Sequence, residues 1–307
     1  RATRAAAVGY LYCRCLDTYE DLVSDPDTRD ASLEAFANRL EASGSRVAPG
    51  PILSDPRISD ARDESHVLLV ARHAAVDEVF LTLPDDVRRL IVDLGRDMAA
   101  RMRGSTRGFA EEGGVLRGGD DVWGSCRHVL GGPVLFAVRL LRCVRMGDTG
   151  AADDLREDAM RVGEMIQLAN VTRDIEKDLR RGVAYLPELR PLLGRDVRHD
   201  ASALEPVRAA RERLLRLALA RAPSYRRIVA GMRPKRLSLV RSSALLMLLH
   251  TERYYRRCAR RTGRATWPGP SSSADLLVRS FGAFWSREWA DLEMERIERR
   301  LVAHAAT

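Results

Sequence analysis

Lysine is nearly absent from this chain, and side-chain amides are almost as scarce. Among 307 residues only Lys177 and Lys235 are lysine, so arginine supplies the other 49 of the 51 basic side chains. The amides are limited to Asn38, Asn170 and Gln167. Such a bias is typical of a GC-rich genome, so the formal net charge of +8 does not by itself indicate a nucleic-acid partner.

Aromatic residues are scarce, and long hydrophobic runs and regularly spaced cysteines are missing. Aromatic residues make up 6% of the chain, which is low for an all-β sandwich. The longest clean apolar stretch of the C-terminal half, Ala244 to Leu249, is far shorter than the roughly 20 residues of a membrane-spanning helix. The five cysteines show no zinc-ligand spacing. We therefore expect reduced thiols in a cytoplasmic protein without a signal peptide or an integral membrane segment.

Apolar residues recur at intervals of three and four, which is the period of an amphipathic helix, and no useful strand-like alternation is present. Glycine and proline separate the helical stretches. Gly104 to Gly119 is glycine-rich and predicts a loop or flap, and Ser43 to Pro56 predicts another loop. We predict one all-α bundle of about nine or ten helices over residues 1–307, with segments at about 10–23, 32–40, 62–82, 84–103, 120–146, 152–181, 204–231, 236–261 and 274–303.

Aromatic side chains at helical spacing occur twice near the C-terminus. We expect them to pack in the core, with the lining of a pocket as the alternative. The residues concerned are Tyr254, Tyr255, Phe281, Phe284, Trp285 and Trp289.

A first acidic motif lies in the segment RCLDTYED, residues 14–21. Asp17 and Asp21 are four residues apart, and Arg14 precedes Asp17 by three. The three side chains therefore share one helix face.

A second acidic motif lies in the segment QLANVTRDIEKD, residues 167–178. Asn170, Asp174 and Asp178 are spaced by four and four, so they form one stripe along a helix. Gln167 and Asn170 both fall in this segment although the chain contains only three amides, which composition does not explain. Arg173 lies beside the stripe.

Two carboxylates four residues apart destabilise a bare helix by roughly 0.2–0.5 kcal/mol, and more when they face a core. A bound cation removes this penalty. Mg²⁺ prefers carboxylate oxygens, retains waters, and is usually held by one or two carboxylates together with substrate phosphates. Two acidic helix faces across a cavity therefore predict a magnesium–diphosphate site that makes ionisation of the diphosphate feasible. The alternative is that both motifs are solvated faces of surface helices.

Two longer segments, YLYCRCLDTYED at residues 10–21 and QLANVTRDIEKDLRRGVAYLP at 167–187, resemble the paired aspartate motifs of the squalene/phytoene synthase family. The resemblance covers about residues 8–190. It implies an all-α isoprenoid synthase fold with a central cavity, and Mg²⁺-dependent ionisation of an allylic diphosphate. It also implies that the aspartates of both motifs are catalytic and bind metal, and that Arg14 binds the diphosphate. We add Arg173 as a second diphosphate-binding residue because it too lies beside the carboxylates. The implied metal ligands are Asp17, Asp21, Asn170, Asp174 and Asp178.

Two positions depart from the family pattern. Ser125-Cys126 stands where the family usually has Tyr-Cys, and that tyrosine is associated with head-to-head coupling of two prenyl diphosphates. Residues 182–185, Gly-Val-Ala-Tyr, lack the arginine that usually follows the glycine. The ionising residues are kept, whereas those that handle a second prenyl diphosphate are changed. We therefore expect an electron-rich aromatic acceptor, as in the actinobacterial squalene-synthase-like enzymes that prenylate carbazole-type natural products with dimethylallyl diphosphate.

Two other functions stay open. One is a head-to-head squalene- or phytoene-type synthase that condenses two prenyl diphosphates. The other is a non-catalytic basic helical module that binds nucleic acid or a partner through the arginine-rich stretches 208–216 and 256–261. Within these stretches the arginines alternate with apolar or acidic residues, which favours an enzyme over a basic binding module. We expect no nucleic-acid partner, and the oligomeric state is left open.

Overall fold

The computed structural model describes residues 2–41, 46–53, 55–116, 119–146, 153–232, 237–263, 266–269 and 272–306. Within these ranges the only β-type pairing is an isolated bridge between Val115 and Ala184, so the predicted all-α class is confirmed. Short 3-10 helices occur at Asp153–Leu155, Pro187–Leu192 and Val197–His199. The α-helices of the described residues are α1 (Ala2–Leu22), α2 (Pro26–Glu41), α3 (Ala61–Ala71), α4 (His73–Leu81), α5 (Asp85–Glu111), α6 (Gly119–Met146), α7 (Arg156–Arg180), α8 (Ala201–Leu219), α9 (Ala222–Gly231), α10 (Leu239–Arg261), α11 (Ser273–Trp285) and α12 (Arg287–Ala306).

Three predicted helices are each divided in two. The segment 62–82 breaks at Arg72, and the segment 204–231 breaks before Ala222. The segment 274–303 breaks at Ser286, whose backbone is extended and whose hydroxyl accepts a hydrogen bond from the Trp289 amide at 3.1 Å. A serine in this position satisfies one of the free amides at a helix start, which ends α11 and begins α12.

The predicted loop from Gly104 to Gly119 is wrong over its first half, because α5 continues to Glu111. Arg103 pairs with Glu34 at 3.0 Å, and Arg107 pairs with Asp30 at 2.8 Å, so α2 holds this stretch helical. These contacts offset a glycine penalty of about 1 kcal/mol per residue. The chain leaves the helix only at Gly113 and Gly114, where both φ angles are positive (61° and 85°).

A division by contacts gives two compact units. The first comprises Arg1–Ala110 and Gly132–Asp154, and the second comprises Glu111–Gly131 and Leu155–Thr307. The expectation of a single domain over residues 1–307 stays a prediction. No helix among the described residues combines the length and the apolar character that crossing a membrane requires.

In the first unit α1 packs against α2, α3 and α4. The Tyr12 ring meets Phe36 and Phe80 edge-on, each at a centroid distance of 5.8 Å. Asp77 accepts hydrogen bonds from the Tyr12 hydroxyl at 2.7 Å and from Arg39 at 2.8 Å. Its buried charge is therefore compensated, which fixes α4 against α1 and α2.

In the second unit α7 packs against α8 and α9, and α10 packs against α11 and α12. The crossing of α6 and α7 depends on two glycines, because a β-carbon on Gly163 would lie 2.2 Å from the backbone nitrogen of Gly131. The buried Glu164 next to it accepts hydrogen bonds from Arg221 at 2.9 Å and from Arg127 at 3.3 Å. This close packing holds α7, the helix that carries the second motif, in one position.

Candidate functional site

The first motif lies on α1, a helix that is buried along one face only, and its Asp21 is exposed. In α1 the residues Cys13, Cys15 and Leu16 are buried, whereas Arg14 and Asp17 are part-exposed. The predicted shared face is confirmed for this pair, because Arg14 Nη1 donates to Asp17 Oδ2 at 2.7 Å. The Asp17 side chain keeps 24% of its exposure, so it is not the freely solvated residue of a surface helix.

A histidine that the sequence did not single out also contacts this motif. Nε2 of His66, from α3, lies 2.8 Å from Arg14 Nη2. Burial and the neighbouring Arg14 charge both lower the pKa of His66, so its ring is neutral near pH 7 and accepts the hydrogen bond. Arg14 is thus held between an imidazole and a carboxylate.

Carboxyl groups are concentrated in this motif. Burial raises the pKa of Asp17 to about 6, with Asp21 adding to the rise and Arg14 opposing it. Burial also raises the pKa of Glu20 to about 8, and the Asp21 and Asp17 charges add to that rise. Neighbouring carboxyl groups within these five residues thus raise the pKa of Asp17 and of Glu20, and a bound cation would oppose that rise.

The second motif repeats the arrangement on α7. Arg173 donates to both oxygens of Asp174, at 2.7 and 2.5 Å. Asn170 donates through Nδ2 to Gln167 Oε1 at 3.3 Å, which leaves its carbonyl oxygen as the atom suited to a metal. Asp178 lies one turn further along, part-exposed. In each motif an arginine predicted to bind diphosphate is paired with an aspartate predicted to bind metal.

The structure brings the predicted residues together within each motif, and each motif lies within one compact unit. Among the described residues no group of three or more His, Cys, Asp or Glu side chains is preassembled to hold a metal ion. The donors present are carboxylate and amide oxygens, which is the set that Mg²⁺ prefers, and Mg²⁺ commonly completes its shell with water and phosphate. The residues therefore fit Mg²⁺ together with a phosphorylated ligand.

A cavity of about 520 Å³ opens beside the second motif. Of the predicted site residues, Asn170 and Arg173 line it. The remaining lining residues are Ile166, Ala169, His250, Thr251, Arg253, Tyr254, Arg257 and Ser273. The sequence did not assign His250, Arg253 or Arg257 to this site. Arginine is frequent everywhere in this chain, and Arg257 was noted only within the arginine-rich stretch 256–261. The spacing of these three residues by three and four along α10 is the one signal that could have indicated a shared face.

The aromatic residues divide between core and surface. Tyr255 is buried and donates to the Met165 carbonyl, whereas Tyr254 lines the cavity and donates to the Ala169 carbonyl at 2.7 Å. Both hydroxyls therefore fasten α10 to α7. Phe281, Trp285 and Trp289 remain 61%, 56% and 41% exposed, so the expectation of core packing is wrong for these three.

Of the two positions that depart from the family pattern, the structure describes one more fully than the other. The side chain of Ser125 lies outside the described residues, whereas Cys126 is buried. Gly182 has a φ of 77°, and Ala184, two residues later, exchanges backbone hydrogen bonds with Gly114 and Leu116 at 2.8 and 3.2 Å. The turn that follows the second motif is therefore fixed by backbone contacts, with Val183 where the family usually carries arginine.

The comparisons agree with this arrangement of helices. The model of the squalene/phytoene synthase family matches residues 1–271. The chain belongs to the squalene/phytoene synthase family. This family uses prenyl diphosphates, which is consistent with the predicted prenyltransferase class.

Two solved structures share the fold of this squalene/phytoene synthase family member. The TcSQS complex with the ligand BPH1237 is 16% identical, with a TM-score of 0.68 over 97% of this chain and 83% of that one. The TcSQS complex with the ligand E5700 is also 16% identical, with a TM-score of 0.60 over 98% and 90%. A comparison with curated proteins returned no match.

Proposed function

We propose that the chain is a Mg²⁺-dependent prenyltransferase that ionises an allylic diphosphate, with dimethylallyl diphosphate favoured, and transfers the prenyl group to a carbazole-type aromatic acceptor. The observation that carries the proposal is the repeated arginine–aspartate pair, Arg14 with Asp17 and Arg173 with Asp174. In both pairs, the guanidinium is hydrogen-bonded to the carboxylate that would otherwise bind a metal ion. Metal and diphosphate arriving together would satisfy both partners of each pair.

The ligands would be Asp17 and Asp21 in the first motif and, in the second, Asn170, Asp174 and Asp178. When bound, the metal ions neutralise charge on the diphosphate and improve it as a leaving group. Arg14 and Arg173, released from their aspartates, would donate hydrogen bonds to the phosphate oxygens, as charge-assisted guanidinium forks do.

The reaction then needs an acceptor for the allylic cation. The carbon–oxygen bond to diphosphate breaks, a carbon of the aromatic ring forms the new carbon–carbon bond, and the ring proton passes to the released diphosphate. The changed sequence at Ser125 and at residues 182–185 supports an acceptor other than a second prenyl diphosphate. The chain thus keeps the ionising residues and departs from the family where a second prenyl diphosphate is handled.

The test is a panel of donors and acceptors with diphosphate release and product mass as readouts. We expect Mg²⁺-dependent release from dimethylallyl diphosphate in the presence of a carbazole, with a product heavier than the carbazole by one prenyl group less one proton. Conversion of farnesyl diphosphate alone into a head-to-head hydrocarbon would overturn the aromatic acceptor, and would favour the synthase that the family name supports. Salt-sensitive nucleic-acid binding without any diphosphate release would instead favour a binding module.

A further inference from the structure

The cavity beside the second motif is strongly cationic. It lies between α7 and α10, and the start of α11 contributes Ser273. Its wall contains three guanidinium groups, those of Arg173, Arg253 and Arg257, together with the His250 imidazole. No carboxylate is among the described side chains that line it. A concave surface of this composition attracts a small anion.

Two of the three guanidinium groups are available to a ligand. Within the described part of the chain, the only hydrogen-bond partner of Arg253 is the Ser273 hydroxyl, at a long 3.4 Å, and Arg257 has none. Arg173 differs, because its guanidinium already donates hydrogen bonds to Asp174. Arg253 and Arg257 are one helical turn apart, so their β-carbons are about 6 Å from each other and both reach the same side of the cavity.

We propose that this cavity is a diphosphate-binding subsite in which Arg253 and Arg257 each bind one phosphoryl group. The proposal rests on the proposed function and extends it to residues outside both aspartate motifs. Two planar guanidinium forks one turn apart suit two linked phosphoryl groups better than a single carboxylate. Asn170 lines the same cavity, so a proposed metal ligand would face the bound anion.

The other wall of the cavity suits a short prenyl chain. Ile166 and Ala169 are apolar, and the Tyr254 ring is held in place by its hydrogen bond to Ala169. A diphosphate at the arginines would leave this wall for the hydrocarbon. The diphosphate bound at the arginines can belong to either of two ligands, the intact allylic donor or the inorganic diphosphate released from it.

Calorimetric titration with inorganic diphosphate in EDTA tests the subsite without metal and without turnover. We expect Arg253→Gln with Arg257→Gln to raise the Kd at least tenfold. The matched control is Arg260→Gln, because Arg260 is an exposed arginine of the same helix that does not line the cavity. We expect its Kd to equal that of the wild type. Equal Kd values for the double variant and the wild type would overturn the subsite.

A second titration, with dimethylallyl thiolodiphosphate, identifies the source of the anion. Loss of affinity for both ligands in the double variant assigns the arginines to the intact donor, whereas loss for inorganic diphosphate alone assigns them to the product. The two proposals fail separately. If diphosphate binding depends on the arginines but no donor is turned over, the subsite is retained and the enzyme is rejected. If the double variant turns over the donor with an unchanged KM and unchanged Kd values, the enzyme is retained and the subsite is rejected.

Discussion

At the scale of single residues, each motif contains an aspartate and an arginine that neutralise one another. Arg14 with Asp17 and Arg173 with Asp174 are spaced differently along their helices, by three residues and by one. Spacing alone predicted that Arg14 and Asp17 share a face. It could not predict the second pair, because adjacent helix residues point in different directions and their contact depends on the bending of a long side chain.

The raised pKa of Asp17 predicts a pH-dependent effect of Mg²⁺ on stability. A carboxyl whose folded pKa is about 6, against an ordinary value near 3.9, destabilises the fold as pH rises from about 4 to about 6, by at most about 3 kcal/mol. A cation reverses this loss. We therefore expect Mg²⁺ to raise Tm more at pH 7.5 than at pH 5, measured by scanning calorimetry.

The variant Asp17→Asn provides the comparison for this prediction. It removes the charge, so its metal-free Tm at pH 7.5 should equal or exceed that of the wild type, and Mg²⁺ should raise it less than it raises that of the wild type, because the ligands of the second motif remain. Asp97→Asn, an exposed position on α5, should behave as the wild type. A Mg²⁺ effect of the same size in Asp17→Asn as in the wild type would show that Asp17 is not a ligand.

The pair on α7 predicts opposite effects of two substitutions on anion binding. Asp174→Asn releases Arg173 toward the cavity, so the Kd for inorganic diphosphate without metal should fall several-fold, although turnover should be lost. Arg173→Gln should raise the same Kd. If both substitutions weakened diphosphate binding in titrations without metal, the pairing would not control the availability of Arg173.

At the scale of elements, the helices were predictable and their ends were not. The period of three and four identified nearly every helical segment, but it placed a loop at Gly104 because glycine disfavours helices. The ion pairs that keep α5 helical come from α2, about 70 residues earlier in the chain. Such a contact has no local signal. The cavity on α10 was missed for a related reason, since Arg253 and Arg257 resemble every other arginine until the neighbouring helix is known.

The crossing of α6 and α7 predicts a strong effect of a single methyl group. Gly163→Ala places a carbon against the Gly131 backbone, so we expect a loss of about 2 kcal/mol or more in the free energy of unfolding. Gly124→Ala in α6 meets no atom within 4 Å and should stabilise by up to about 1 kcal/mol. Urea denaturation measures both. Equal free energies for the two variants would contradict the tight crossing.

At the scale of the whole molecule, the net charge of +8 does not describe a polymer-binding surface. The arginine-rich stretch at 208–216 is extensively paired with carboxylates, and Arg256 in the second stretch is buried. The pairs are Arg208 with Glu205, Arg211 with Glu176, Arg213 with Glu188 and Arg216 with Glu212. Positive charge without carboxylate partners is instead found in the cavity beside the second motif, which suits a small anion.

The central claim is that both aspartate motifs are needed to ionise an allylic diphosphate. The most direct measurement is the rate of Mg²⁺-dependent diphosphate release from dimethylallyl diphosphate with a carbazole acceptor, for wild type, Asp17→Asn, Asp174→Asn and Asp97→Asn. We predict release in the wild type and in Asp97→Asn, and a rate at least about 100-fold lower in each motif variant. Wild-type rates in either motif variant, or release that does not need Mg²⁺, would contradict the claim.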